Sequence, residues 1–159
     1  MNHITEADLY SWNDPDELLQ ALGQLGKDQK NELREAVAAL LEHDDADIRE
    51  EAMRTLFVSW KDQQWRDRAL AAVTSDEVPE VRSTAAYAVA ATSTNVTRQD
   101  DTRLLLGVLE DEHAELPVRA AAYDALLILN RKSDFPTKKR KFNPQEDIDW
   151  HWVRSLNQN

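Results

Sequence analysis

The side chains able to do chemistry are sparse in this sequence. Histidine stands only at positions 3, 43, 113 and 151, and cysteine is absent. Without a thiol there is no disulfide, thiolate metal site or cysteine nucleophile, a composition that suits a reducing compartment. No Ser-centred elbow, Gly-rich phosphate loop or His-Glu-x-x-His zinc pattern occurs either. The acidic stretches His43-Asp44-Asp45-Ala46-Asp47 and Glu110-Asp111-Glu112-His113 carry the oxygen ligands that calcium or magnesium takes. They lack the glycine and the spacing of a calcium loop, and aspartates ahead of helices have a simpler duty in capping free N–H groups. We therefore expect no catalytic residue, no metal site and no cofactor. One basic cluster, Lys138-Lys139-Arg140-Lys141 between Phe135 and Phe142, has the look of a nucleic-acid patch. It sits in a Pro-bearing linker of an acidic chain, where a tether to the chain's own acidic body explains it as well as an anionic partner does.

The elements that must carry these residues are helical. Three glycines and five prolines in 159 residues leave little material for hairpins. Apolar residues recur at helical spacing in segments that come in pairs. Residues 31–42 and 48–60 flank the turn 43–47, residues 65–73 and 80–92 flank 74–79, and residues 100–109 and 117–130 flank 110–116. Pro79 and Pro117 mark helix starts, because proline in a first turn loses no hydrogen bond. Leu18, Leu19, Leu22 and Leu25, after the start signal Asn13-Asp14-Pro15, form an N-terminal capping helix. Ile148, Trp152, Val153 and Leu156 are placed to fold back over the last pair. Tryptophans 60, 65, 150 and 152 are expected as core or cap residues.

The second helices of the three pairs align as Ile48-Arg49-x-x-Ala52-x-x-x-Leu56, Val81-Arg82-x-x-Ala85-x-x-Ala88-Val89 and Val118-Arg119-x-x-Ala122-x-x-Ala125-Leu126. This internal repeat has periods of 33 and 37 residues. Alanine lets two helix backbones approach while the branched neighbour fills the groove, and one such pair cannot bury its own apolar face. The pattern resembles the second helix of HEAT repeats, in particular short bacterial HEAT-like forms, over about residues 31–130. The first copy departs from it with Thr55 where the others have Ala88 and Ala125, which implies a slightly looser contact.

The resemblance implies an all-α, right-handed solenoid. One domain spans 1–159: an N-terminal cap helix at 1–30, three repeats at 31–130, a basic linker at 131–146 and a C-terminal cap helix at 147–159. It also implies that Arg49, Arg82 and Arg119 are structural, pairing with acids of the inter-helix turns. One metal-dependent hydroxylase family with HEAT-like repeats uses His-Glu pairs, whereas this chain has only the reversed Glu112-His113, so no di-iron site is expected.

On a helical wheel Ile48, Val81, Val118 and their alanines face the core. The other side carries Met53, Arg54 and Phe57 in the first copy, Ala86, Tyr87 and Ala90 in the second, and Tyr123, Asp124 and Leu127 in the third. In HEAT stacks that side lines the concave surface, and aromatic and long apolar groups there are the composition of a binding centre. Arg54, Phe57, Tyr87, Tyr123 and Asp124 are the expected partner-binding residues, with Met53 and Leu127 assigned to packing between helices.

The net charge of −11 divides into −14 over residues 1–130 and +3 over 131–159. An acidic body repels phosphate backbones and suits a basic protein, so we expect a protein partner and no nucleic acid. The N-terminus has neither a basic start nor an apolar run, and no stretch approaches ~20 apolar residues, so a cytoplasmic protein without membrane insertion is expected. The resulting expectation is a non-enzymatic protein-binding module, similar to the small acidic immunity proteins that neutralise a basic toxin. The alternatives are a HEAT-like lyase that handles a bilin pigment, a DNA-lesion-binding HEAT-like protein, or a scaffold that bridges two proteins. The pattern leaves the oligomeric state open.

Overall fold

The computed structural model describes residues 4–11, 14–29, 31–132 and 142–157. The basic run Lys138 to Lys141, together with Phe135 and His3, lies outside the described residues. Among the described residues ten α-helices follow one another: α1 (Glu6–Ser11), α2 (Pro15–Asp28), α3 (Arg34–Ala39), α4 (Ala46–Met53), α5 (Arg66–Ser75), α6 (Pro79–Thr92), α7 (Arg98–Glu110), α8 (Leu116–Leu129), α9 (Pro144–Asp147) and α10 (Trp150–Leu156). No strand occurs among the described residues.

Helix starts follow the sequence signals. Pro15, Pro79 and Pro117 stand in first turns, and the side chains of Asp14 and Asp45 cap α2 and α4 by accepting the N–H of Asp16 and Asp47. The acidic turns do the same work. Asp76 accepts the N–H of Val78 at 2.9 Å and Asp111 that of His113 at 2.9 Å, while His43 Nδ1 accepts the N–H of Asp45 at 3.0 Å. Among the described residues no three His, Asp or Glu side chains gather as a metal-binding group.

The helices stack in two rows. In one row α2 packs on α4, α4 on α6 and α6 on α8; their partners α3, α5 and α7 close the hairpins, and α1 packs on α3. The N-terminal region is therefore a pair of helices that stacks like a further hairpin, where the sequence predicted one capping helix. Each contact layer is filled by the repeat residues: Ile48, Ala52, Val81, Ala85, Ala88, Val118, Ala122 and Ala125 are at most 1% exposed. The result is an α-solenoid with one continuous core.

The first repeat's second helix is not uniform. After Met53 it widens into a π-helix over Arg54–Ser59, with Trp60 N–H bonding to Thr55 carbonyl, five residues back, at 3.1 Å. Thr55 is not a loose substitute for alanine here. It is 1% exposed, and its hydroxyl donates to the Leu22 carbonyl of α2 at 3.1 Å. Trp60 indole N–H reaches the Leu25 carbonyl at 3.3 Å, and the Gln29 amide reaches the Ser59 carbonyl at 3.2 Å. A side chain at Gly26 would sit 3.1 Å from Ser59 Oγ, so glycine is what permits this close approach.

At the other end Ile148 and Val153 are buried, and Trp152 stacks edge-on against Tyr123 with ring centroids 6.1 Å apart. Asp149 caps α10 through the N–H of Trp152.

Candidate partner-binding face

The repeat places one residue of each second helix in the same register, six positions after the branched core residue. These are Arg54, Tyr87 and Asp124, and two polar contacts between neighbouring second helices lie along this register, Thr84 to Glu50 between the first and second repeats and Tyr87 to Asp124 between the second and third. Arg54 pairs with Glu50 and, at 3.2 Å, with Glu51 one turn earlier. The hydroxyl of Thr84 on α6 donates to Glu50 Oε1 at 3.0 Å. Tyr87 donates its phenolic O–H to Asp124 Oδ2 on α8 at 3.1 Å.

The electrostatics of this strip follow from its partial burial. Burial first, then the charge and hydrogen bond of Asp124, push the Tyr87 phenol well above its usual range, against a smaller opposing effect of Arg54. Glu51 is also raised, chiefly by burial and with Glu50 adding to it, although Arg54 and Lys27 pull the other way. The strip thus holds carboxylates that water solvates only in part, flanked by a single guanidinium that is half exposed.

Two of the five residues expected here are elsewhere. Phe57 is wholly buried, at 0% exposure, because the π-turn and α2 close over it. Tyr123 is buried at 8%: its ring is covered by Trp152, and its oxygen accepts the Asp149 N–H at 3.1 Å. Asp124 is in the strip but is itself only 6% exposed. Met53 and Ala86 are buried too, at 2% and 0%, and Ala90 at 9%. Each is covered by whatever packs on its helix: the π-turn and α2 over Phe57, α10 over Tyr123, and neighbouring helices over Met53, Ala86 and Ala90, so that of the shared register Arg54 stays half exposed. Glu50, Glu51 and Thr84 are not among the residues expected from the sequence, although their spacing of three to four residues from Arg54 and Tyr87 on the same helices places them on the same face.

Two of the three repeat arginines reach the inter-helix turns. Arg49 is bidentate to Asp76, with both bonds at 3.0 Å, and its other nitrogen donates to the carbonyls of His43 and Asp44 at 2.9 and 3.0 Å. Arg82 donates to the Asp76 carbonyl at 2.6 Å and pairs with Glu115 of the following turn. Arg119 donates to the Leu109 carbonyl at 2.9 Å. Arg49 and Arg82 therefore tie their helices to their own hairpin turns and to the next hairpin, whereas Arg119 holds the last turn of α7 through a carbonyl and not through the turn acid that was expected.

This two-row stack of hairpins with a repeating branched-Arg-x-x-Ala core defines a helical repeat protein. A family model described as HEAT repeats matches residues 33–127, and the chain belongs to that family. HEAT repeats generally mediate protein–protein interaction, and the family is typically non-enzymatic. Comparison with curated proteins returns no match. No helix among the described residues is long and apolar enough to cross a membrane.

Proposed function

We propose that this protein is a non-enzymatic binding module that takes a basic protein on the strip formed by Glu50, Glu51, Arg54, Thr84, Tyr87 and Asp124. The observation that carries this reading is the line of polar side chains along one register of three successive second helices, with Thr84 bonded to Glu50 and Tyr87 to Asp124 across the repeat boundaries. Glu51 supports the sign of the partner. A carboxylate kept partly from water is relieved by an incoming cation, and a site that stores such a cost is disposed to bind one. The charge of −14 over residues 1–130 adds long-range attraction for the same partner. Within that class, the small acidic form suits an immunity or inhibitor protein that neutralises a basic toxin, and such a protein works in the cytoplasm.

The test is capture of basic proteins from the native lysate by the full chain and by two charge variants, each first shown to be helical by circular dichroism. Glu50→Lys with Glu51→Lys should lose the retained protein. Glu112→Lys, in an exposed turn away from the strip, should keep it. Equal retention by all three would remove the strip from the account, and retention of acidic proteins or nucleic acid alone would refute the proposed partner.

A further inference from the structure

The first helix of every repeat hairpin begins on an arginine: Arg34, Arg66 and Arg98 open α3, α5 and α7 at intervals of 32 residues. The first two meet an aspartate supplied by the next hairpin. Arg34 lies 3.7 Å from Asp62, in the loop that leads into α5, and Arg66 pairs with Asp101, in the first turn of α7. Asp62 and Asp101 are 8% and 1% exposed. The hairpin of α7 and α8 is the last of the three repeats, and among the described residues no acid pairs with Arg98. Its Nε is buried without a hydrogen-bond partner, as is that of Arg66, so what sets Arg98 apart is the missing carboxylate partner.

A cavity of about 390 Å³ opens beside this arginine. Arg98, Arg103, Asn95, Thr102, Asn130 and Asn157 line it, and no carboxylate does among the described residues. That is unusual in a chain of net charge −11. The volume lies in the ~300–1,000 Å³ range of small-ligand sites. Arg103 does pair with Asp100 at 2.8 Å, but both side chains are largely exposed, so the pair is weak and exchangeable. Asn130 stands just past the end of α8, where the chain would pass into a further hairpin. The planar guanidinium fork matches a carboxylate, and the wall adds neutral donors in amide and hydroxyl groups.

We propose that this cavity is a carboxylate-binding site, in which the ligand's carboxylate occupies on Arg98 the place that the next hairpin's aspartate occupies on Arg34 and Arg66. It is separate from the strip on the second helices, and its test reads a different ligand. The full chain is titrated by calorimetry at low salt with succinate, with N-acetyl-aspartate amide and with inorganic phosphate. Both carboxylates are expected to bind, and Arg98→Gln, confirmed as folded by circular dichroism, should weaken them at least about tenfold. Succinate binding tighter than the aspartate analogue identifies a free diacid as the ligand; the reverse order identifies an acidic side chain of another protein. Asn130→Asp provides the missing acid within the chain and should raise the melting temperature while abolishing succinate binding. Absence of carboxylate binding at about 10 mM, phosphate binding as tight as succinate, or unchanged succinate binding in Arg98→Gln would each overturn the proposal.

Discussion

Thr55 shows how one atom changes the meaning of a repeat position. At the equivalent sites Ala88 and Ala125 only pack, whereas Thr55 gives its proton to the Leu22 carbonyl and ties the N-terminal helix to the first repeat. Thr55→Val keeps the shape and removes the bond, and should cost about 1 kcal/mol in urea denaturation. Arg49 carries more. It makes four hydrogen bonds at 8% exposure, two to Asp76 and two to turn carbonyls. A lysine keeps the charge but cannot reproduce the fork, so Arg49→Lys should destabilise by about 2 kcal/mol, measured the same way. The spectrum of the folded state should be retained in both variants, because neither leaves a cavity in the apolar core.

Two helix glycines separate propensity from packing. Gly107 lies in the interior of α7, and a methyl group there would meet nothing within 4 Å. Gly107→Ala should therefore stabilise by about 0.5–1 kcal/mol, since the helix gains rigidity and loses no contact. Gly26 in α2 has the same propensity to gain, but its added methyl would stand 3.1 Å from Ser59 Oγ and 3.5 Å from Thr55 Oγ1. Gly26→Ala should gain less than Gly107→Ala, or lose stability, because the π-turn must shift to admit it. Thermal unfolding of the two variants side by side checks the order.

For the whole molecule the pH dependence has two limbs of opposite sign. Burial alone would raise Asp76, but the Arg49 fork, the Val78 N–H and the nearby Arg82 outweigh it and hold the carboxyl below its usual range. A depressed folded value gives stability that is present above the unfolded value of about 3.9 and is lost as the pH falls through the folded one. Acid unfolding should therefore begin below about pH 4, and Asp76→Asn should flatten that limb while lowering stability at neutral pH. Tyr87 is raised, by burial and then by Asp124, so its contribution is complete below about pH 10 and disappears as the pH rises toward the folded value. Tyr87→Phe should flatten the alkaline limb and leave the acid limb unchanged. Denaturation midpoints across the pH range test both.

The helical class, the paired segments and the register of Ile48, Val81 and Val118 were legible in the sequence. They depend on local periodicity, and a 3.6-residue period together with a repeat of 33 and 37 residues leaves one face of each helix to bury. The candidate site was legible in part, as the common register of Arg54, Tyr87 and Asp124. Only the tertiary structure decided how wide that face is. A wheel treats the side opposite the core as open, but the π-turn and α2 close over Phe57 and the C-terminal helix α10 covers Tyr123, while Arg54 stays half exposed. The N-terminal pair, the π-turn and the unanswered Arg98 were likewise decided by contacts between segments about 30 residues apart, which no local pattern records.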